Sequence, residues 1–340
     1  MRSLRRFAPA DLSVVGWTAI IAIALAGPVY AQKAAIFRIG SPQDAVTSPK
    51  SGFALMGGGT DLDEAFRWLG ERANGGDFVI LRASGDDDYN PYVQKLSKLN
   101  SVTTLIIPSH EAASEPLVAE AIAHAEAVFI AGGDQAKYIR YWTGTPVQRE
   151  LNAAMARGVP LGGTSAGLAV MGEWVYSAEG DKPDDPNLDA KTALTNPLGP
   201  RITLVHGFLD IPILKGIITD THFAKRNRMG RLLVFLAKIQ STSPETKIRG
   251  IGIEERAAML MEPSGQASVV GHGAAYLVMP LPPAPELISG KPFDKASFDV
   301  QKVDSGKAFE MKKWCCGETP YRLSVDDGKI RSHRDVDSIY

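Results

Sequence analysis

Cysteine, aromatic residues and net charge are all scarce in this chain. Of 340 residues, 2 are cysteines and 8% are aromatic, and 37 Lys and Arg against 38 Asp and Glu leave a formal charge of −1. The cysteines, Cys315 and Cys316, are adjacent, which excludes a framework of several disulfides and a zinc site built from spaced thiolates. The balanced charge argues against a nucleic-acid partner. With 44% hydrophobic residues, we expect a globular protein stabilised by a packed core.

Residues 1–31 are typical of a secretory signal peptide. A basic head with three arginines precedes the uncharged run 13–27, and small residues lead to Ala31. The run is shorter than the ~20 residues that a membrane-spanning helix needs. We therefore expect cleavage after Ala31, a periplasmic or secreted mature protein, and no stable membrane span once the signal is removed.

Short apolar runs alternate with helical patterns between residues 53 and 156. In the segment 61–74 the apolar residues recur with a helical period, which predicts one buried face; they are Leu62, Ala65, Phe66, Leu69 and Ala73. Strands that alternate with helices favour an α/β fold with a doubly wound, mostly parallel sheet. After Gly250 the apolar runs are short and separated by Gly and Pro, which predicts β-hairpin additions. The expected hydrolase-like domain covers residues 32–285, followed by a weakly patterned C-terminal extension, residues 286–340.

The sequence Gly163-Thr164-Ser165-Ala166-Gly167 follows an apolar run and precedes a helical pattern of small residues. This G-x-S-x-G arrangement predicts a nucleophile elbow, a sharp turn that exposes a serine at the end of a strand. The N–H of Ala166 would then face the negative charge that develops on an attacked carbonyl. The competing interpretation is a Gly-Ser turn that only closes a βα unit.

Two other glycine-rich loops follow apolar runs. Gly132-Gly133-Asp134-Gln135 is expected at the same sheet edge as Ser165, where open α/β sheets bind ligands. Gly133 is a candidate for a second oxyanion N–H, and Gln135 for a side-chain amide that contacts substrate. The loop 57–59, three glycines, is interpreted as a structural turn.

A nucleophilic serine needs a base, and His222 is the best placed of the six histidines. It follows an apolar run that ends at Asp220 and precedes a helical pattern, so it is expected beside a neighbouring strand's elbow. Arg226, Arg228 and Arg231 come next, and guanidinium groups grip carboxylates. Glu254 and Glu255 both end another apolar run, and local pattern does not decide which of them orients the imidazole.

Four of these segments, in this order, resemble the cyanophycinase branch of the S51 serine peptidases, relatives of peptidase E. They are Gly132-Gly133-Asp134-Gln135, Gly163-Thr164-Ser165-Ala166-Gly167, Asp220-Thr221-His222-Phe223 with its three arginines, and Gly250-Ile251-Gly252-Ile253-Glu254-Glu255. The resemblance implies a fold like that of class I glutamine amidotransferases, with Ser165 as nucleophile, His222 as general base and Glu255 as the charge-relay glutamate. It further implies that the substrate pocket is shaped by Gln135, Asp220, Arg226, Arg228 and Arg231.

The same resemblance implies an exopeptidase that acts beside aspartyl residues without a metal or cofactor. Cyanophycinases release β-Asp-Arg dipeptides from a polymer with an aspartate backbone that carries arginine on its β-carboxyls, and peptidase E removes N-terminal aspartate. The expected partner is therefore a peptide or a cyanophycin-like polymer, and a homodimer stays an open alternative.

Two other functions share parts of this pattern. An esterase of the α/β-hydrolase type would place its acid between the serine and the histidine, where Asp210 and Asp220 are available. A non-catalytic periplasmic binding protein would use the same cleft without covalent chemistry.

Overall fold

The computed structural model describes residues 32–182, 184–315, 317–334 and 338–340, and in these residues strands and helices are mixed throughout. The predicted signal peptide and Cys316 lie outside the described residues. The strands are β1 Ala35–Gly40, β2 Phe53–Met56, β3 Asp77–Arg82, β4 Ser101–Ile106, β5 Ala127–Ile130, β6 Leu161–Thr164, β7 Trp174–Tyr176, β8 Leu204–His206, β9 Ile217–Asp220, β10 Arg249–Ile253, β11 Ala257–Met261, β12 Gln266–Gly271, β13 Ala274–Pro280, β14 Ala296–Asp304, β15 Ala308–Glu310, β16 Tyr321–Asp326 and β17 Lys329–Ser332. The α-helices are α1 Asp63–Arg72, α2 Tyr89–Leu96, α3 Pro116–Ala123, α4 Gln135–Trp142, α5 Pro146–Ala156, α6 Ala166–Ala169, α7 Ala190–Thr195 and α8 Met229–Thr242.

The first sheet has the order β1-β4-β3-β5-β6-β2-β11-β12-β15. Its central strands β4, β3, β5, β6 and β2 run parallel, because helices α1 to α5 connect them in sequence and return the chain to the same end of the sheet. In this register Met56 lies opposite Thr164, and Ile130 lies opposite Gly163. The loops that follow β2, β5 and β6 therefore meet at one edge.

The second sheet has the order β17-β16-β14-β13-β10-β9-β7-β8. Strands β9 and β10 are parallel neighbours, and Asp220 at the end of β9 lies opposite Gly252 near the end of β10. This register brings the segments that carry His222 and Glu255 to the same edge of the sheet.

The division into two sheets differs from the one mostly parallel sheet expected from the sequence. Parallel pairing is confined to the strands that helices or long connections separate, whereas the short turns after β11 and β16 give antiparallel hairpins. Strands β13 and β14 are also antiparallel, but the longer loop 281–295 joins them. Residues 286–340, expected to be a weakly patterned extension, supply β14 to β17: β15 pairs with the first sheet, and the other three with the second. Buried positions alternate with less buried ones along β14 and β16, so a strand signal was present in this part of the sequence and was missed.

The core follows the alternation of side chains along the strands. Leu55 of β2 belongs to the same apolar cluster as Ile251 and Leu277 of the second sheet, whereas the next residue, Met56, packs on the opposite face with Phe66 of α1. A further cluster packs α8 against the second sheet. Residues 32–340 thus form one compact unit.

Candidate active site

Ser165 occupies a strained turn between β6 and α6. Its backbone has φ 52° and ψ −116°, a conformation that a residue with a side chain rarely adopts. The turn is tight enough that a Cβ at Gly167 would lie 1.9 Å from the carbonyl oxygen of Ile130, and one at Gly163 would lie 2.7 Å from Gly167. The two glycines of the G-x-S-x-G pattern are therefore required by close backbone approach, and the serine is presented at the carboxyl end of the parallel strands.

His222 follows β9 and contacts Ser165. Its Nε2 lies 2.7 Å from Ser165 Oγ, and its backbone N–H donates to the carbonyl oxygen of Gly57 at 2.8 Å. The residue is buried and has φ 48°, so its backbone, like that of Ser165, is held in the left-handed region. Loop 57–59 and β9 together fix the direction of the imidazole.

Glu255, and not Glu254, faces the imidazole. Glu255 Oε1 lies 2.7 Å from His222 Nδ1. The two carboxylate oxygens of Glu254 accept instead from Tyr276 Oη at 2.8 Å and from the N–H of Ala274 at 3.0 Å. Because a carboxylate accepts, Nδ1 carries the proton and Nε2 is left to accept from the serine hydroxyl.

The surroundings of His222 lower its pKa below the ordinary histidine value. Burial is the largest cause, and the positive charges of Arg226 and Arg228 add to it. The hydrogen bond and the charge of Glu255 act in the opposite direction. The imidazole is therefore held neutral, the form in which it accepts a proton.

The three-glycine loop 57–59 is part of this site, which the sequence interpretation as a structural turn missed. A Cβ at Gly58 would lie 2.6 Å from His222 Cε1 and Nε2, and one at Gly59 would lie 3.1 Å from Glu255 Cβ. Both glycines have positive φ. A signal was present in the sequence, since this loop also follows a strand of the parallel set, but only the register of β2 beside β6 shows that it reaches Ser165.

The two candidate oxyanion donors are the N–H groups of Ala166 and Gly133. Ala166 is the first residue of α6, and Gly133 lines the same cavity as Ser165. A Cβ at Gly132 would lie 3.6 Å from Ser165 Cβ, so this loop runs close past the serine. Within the part of the chain that the structure describes, neither the N–H of Gly133 nor that of Ala166 has an acceptor.

A cavity of about 540 Å³ opens in front of Ser165 and His222. Its walls are the start of α4, the segment 178–187 that follows β7, and the turn 221–228. The cavity is highly polar in its lining residues. A space of this size admits a dipeptide-sized group beside the serine.

Gln135 and Arg228 line the cavity, and each is also bonded to the protein: Gln135 to the last residue of β7, and Arg228 to the segment that follows β7. Gln135 Nε2 donates to the carbonyl oxygen of Tyr176 at 3.0 Å, and Arg228 donates to Asn187 Oδ1 from Nη2 at 2.7 Å and from Nε at 3.2 Å. Arg228 Nη1 donates to the carbonyl oxygen of Thr221 at 2.9 Å. Both side chains thus shape the cavity wall as well as facing the space in front of Ser165.

Asp220 and Arg231, also expected in the substrate pocket, form a buried ion pair behind it. Arg231 donates to Asp220 Oδ2 from Nε at 2.8 Å and to Oδ1 from Nη2 at 2.5 Å, and both residues are 2% exposed. Among the described residues that line the cavity, neither of the two is found. This corrects the expectation: the helical spacing that turns Arg231 toward Asp220 also turns it away from solvent.

Arg226, unlike the buried Arg231, faces the cavity. Its side chain is exposed, lines the cavity, and has no ion pair or hydrogen bond to any described residue. The turn that carries it is held at its far end by Tyr340, whose hydroxyl accepts from the N–H of Met229 at 3.0 Å and lies 3.1 Å from Asn227 Oδ1. Arg226 is therefore a cation available to a bound molecule.

In the described ranges, no group of three or more His, Cys, Asp or Glu side chains is arranged to hold a metal ion. No helix in the same ranges is long and apolar enough to cross a membrane.

Comparison with known proteins gives a family match and several relatives. The model of peptidase family S51 matches residues 54–265. A cyanophycinase of Geminocystis herdmanii is 34% identical over 153 residues, which are 45% of this chain and 48% of the relative, and one of Trichormus variabilis is 30% identical over 182 residues, 53% of each. The chain thus spans about half the length of the curated relatives it matches. The crystal structure of a peptidase from an acI-B1 Actinobacterium is similar with a TM-score of 0.49 and 18% identity, over 77% of this chain and 98% of that one.

Proposed function

The chain belongs to peptidase family S51, as its four motifs predicted and the family match over residues 54–265 confirms, and from this premise we propose that it is an exopeptidase that cleaves peptide or isopeptide bonds beside aspartyl residues. The observation that carries the proposal is the continuous row of hydrogen bonds from Ser165 Oγ through the imidazole of His222 to Glu255. Ser165 and His222 of this row line a cavity that also contains Arg226, a cation with no ion pair among the described residues.

The arrangement supports acyl transfer in two halves. Ser165 Oγ attacks the scissile carbonyl carbon while His222 Nε2 takes the hydroxyl proton, and the resulting oxyanion accepts from the N–H groups of Gly133 and Ala166. The C–N bond then breaks, the amine leaves with the proton from His222, and an acyl-enzyme ester remains on Ser165. A water molecule that gives its proton to His222 hydrolyses the ester and restores the serine.

The order of the three residues along the chain also favours a peptidase of this kind over an α/β-hydrolase esterase. The carboxylate that contacts His222 comes after it, at Glu255. Asp220 is occupied by Arg231, and Asp210 is exposed beside Lys215 at 3.6 Å, so the two acids that would fit the esterase order are engaged elsewhere. The parallel strand order around Ser165 supports a doubly wound fold of the class I glutamine amidotransferase kind.

Aspartyl substrates are supported by Arg226 and by the relatives, which carry the name cyanophycinase. Because Arg226 has no ion pair within the described ranges, its guanidinium gains charge-assisted hydrogen bonds when a substrate carboxylate arrives. Cyanophycin offers such a group on each arginyl unit, and short aspartyl peptides offer it on the aspartyl side chain. The proposed substrates are therefore cyanophycin or aspartyl peptides.

The substrate test is incubation of protein that begins at Gln32 with cyanophycin, with Asp-X peptides and with β-Asp-X peptides, followed by mass spectrometry of the products. Release of β-Asp-Arg supports cyanophycin as substrate, and release of aspartate or aspartyl fragments supports peptides. The Ser165→Ala protein should produce neither and should keep its circular dichroism spectrum. Turnover that survives this change would reject the acyl-enzyme.

A fluorophosphonate probe separates the remaining functions. Covalent labelling of Ser165 with hydrolysis of simple esters but of no aspartyl substrate would indicate an esterase, and absence of any labelling would indicate a binding protein. We expect labelling of the wild-type chain, none of Ser165→Ala, and hydrolysis of an aspartyl substrate.

Export is the second part of the proposal. It is supported by the basic head and the uncharged run 13–27 that precede Ala31. Expression of the full chain in a bacterium with a periplasm, followed by Edman sequencing of the exported fraction, should give Gln32 as the first residue. An unprocessed protein that stays with the cytoplasmic fraction would contradict export.

A further inference from the structure

The acidic side chains of the cavity are already engaged by donors of the protein. Asp134 Oδ1 accepts from the N–H of Ala136 at 2.9 Å, and Asp181 Oδ1 accepts from Arg201 at 2.9 Å. Glu179 lies 3.7 Å from Arg140 and accepts from Ser177 Oγ at 3.3 Å. These carboxylates are therefore partly satisfied by donors of the protein.

The cationic groups of the same cavity are not engaged in this way. The side chains of Lys137, Lys182 and Arg226 line the cavity and have no ion pair or hydrogen bond within the described part of the chain. The cavity lining also has more cationic than acidic side chains, and such a lining favours a ligand with acceptors, above all a carboxylate.

Asn187 adds a neutral donor with a fixed orientation. Arg228 Nη2 and Nε lie 2.7 and 3.2 Å from Asn187 Oδ1. Because a guanidinium only donates, the atom it contacts must be the amide oxygen, and the amide –NH₂ is the end left over. This Nδ2 has no partner among the residues that the structure describes.

The side chain that orients Asn187 is itself held firmly. Arg228 is 7% exposed, and its Nη1 donates to the carbonyl oxygen and the hydroxyl of Thr221 at 2.9 and 3.1 Å. The segment that carries Asn187 is held by Arg201, which donates to Asp181 and to Asp185 Oδ2 at 2.5 Å. The amide donor is thus prepared before any substrate arrives, which reduces the entropy lost on binding.

We propose that Asn187 is a specificity-determining residue whose amide donates to a free carboxylate of the substrate, beside the cations Lys137 and Arg226. The inference deepens the proposed function and rests on it, since it assigns to the segment after β7 the recognition of the substrate's charge. In cyanophycin the carboxylate is that of each arginyl unit, and in aspartyl peptides it is the aspartyl side chain. Both present the same two acceptor oxygens.

The variant Asn187→Asp removes this donor and places an acceptor in its position. Aspartate keeps an oxygen for Arg228, so the segment stays in place, and only the –NH₂ is exchanged for a charged acceptor. The matched control is Asn196→Asp, the same exchange at an exposed position outside the cavity.

Two substrate pairs serve as probes: short oligomers of β-Asp-Arg with free or amidated arginine carboxylates, and Asp-X peptides beside their Asn-X counterparts. We expect Asn187→Asp to raise KM for the carboxylate member of at least one pair by about tenfold or more, with kcat nearly unchanged. For the amide member of the same pair, KM should stay nearly unchanged. Asn196→Asp should match the wild type. An unchanged ratio of carboxylate to amide KM in Asn187→Asp would overturn the proposal.

Binding to the Ser165→Ala protein separates this inference from the proposed hydrolysis. Calorimetric titration with the same pairs should show a preference for the carboxylate member that Asn187→Asp removes. If the preference is present but the wild type hydrolyses nothing, the proposed function fails and the inference stands. If no carboxylate is preferred, or no member binds, the inference fails whatever the turnover.

Discussion

Gly58 lies directly against the imidazole of His222: a Cβ at Gly58 would stand 2.6 Å from the ring atoms Cε1 and Nε2, and 3.1 Å from Ser165 Cβ. Real Cβ atoms do not approach so closely, so Gly58→Ala must displace the ring or the loop. We expect kcat to fall by roughly a hundredfold, because a misplacement of about 1 Å costs that much in a preorganised site. Steady-state kinetics on an aspartyl substrate measures the loss.

The control for this variant is Gly75→Ala. Gly75 also has a positive φ, 82° against 96° for Gly58, but a Cβ there meets nothing within 4 Å. Gly75→Ala therefore measures the effect of an alanine held at positive φ without a steric clash. Equal losses of kcat in the two proteins would show that strain, and not contact with His222, causes the effect.

The neighbouring glutamates give a second matched pair. Glu255→Gln removes the charge beside His222 Nδ1, and we expect kcat to fall by roughly 10²- to 10⁴-fold, because the imidazolium that forms in the transition state loses its stabilisation. In Glu254→Gln the amide oxygen still accepts from the N–H of Ala274, and the amide –NH₂ can donate to Tyr276 Oη. It should leave kcat within a few-fold and lower the free energy of unfolding by at most about 1–3 kcal/mol. The reverse pattern would make Glu254 the acid.

This pair also shows what the sequence could and could not supply. Ser165 and His222 each follow an apolar strand and precede a helical pattern, so local pattern was enough to propose that they meet. The structure brings them to 2.7 Å, although β6 and β9 belong to different sheets. Glu254 and Glu255 are adjacent in the same pattern. Only the course of the backbone after β10, a non-local result, decides which one turns toward the imidazole.

Three other features could not be predicted from local pattern, because they depend on long-range packing. The pairing of Asp220 with Arg231 depends on how α8 docks on the second sheet, and Asn187 lies in a segment without hydrophobic period. The separation into two sheets depends on which hairpins pair with which edge, as β15 and β14 do with different sheets. Periodicity specifies the elements, but the long-range pairings that close a site are set by packing.

The low pKa of His222 has a consequence for the pH profile. A general base works when unprotonated, so the acid limb of kcat/KM should lie below the ordinary histidine value of about 6.5. Arg226→Gln removes one of the charges that lower this pKa. The pKa then rises, and the acid limb should move to higher pH.

Lys225→Gln is the control for that shift, since Lys225 is exposed, lies outside the cavity and is not among the causes of the lowered pKa. Its acid limb should coincide with that of the wild type. An acid limb that stays in place in Arg226→Gln would show that the guanidinium does not act on the imidazole, whatever happens to KM.

The buried pair Asp220–Arg231 makes a prediction about stability that separates a structural role from a role in binding substrate. Asp220→Asn leaves the guanidinium of Arg231 buried without its counter-charge, and removing one partner of a buried pair costs about 3–5 kcal/mol. Asp210→Asn, in an exposed pair with Lys215, should cost no more than about 1 kcal/mol. Urea denaturation measures both. If Asp220 bound substrate instead, Asp220→Asn would raise KM and leave the urea midpoint unchanged. A large fall in the midpoint, with an unchanged KM for the protein that remains folded, would therefore show that the carboxylate stabilises the structure and does not contact substrate.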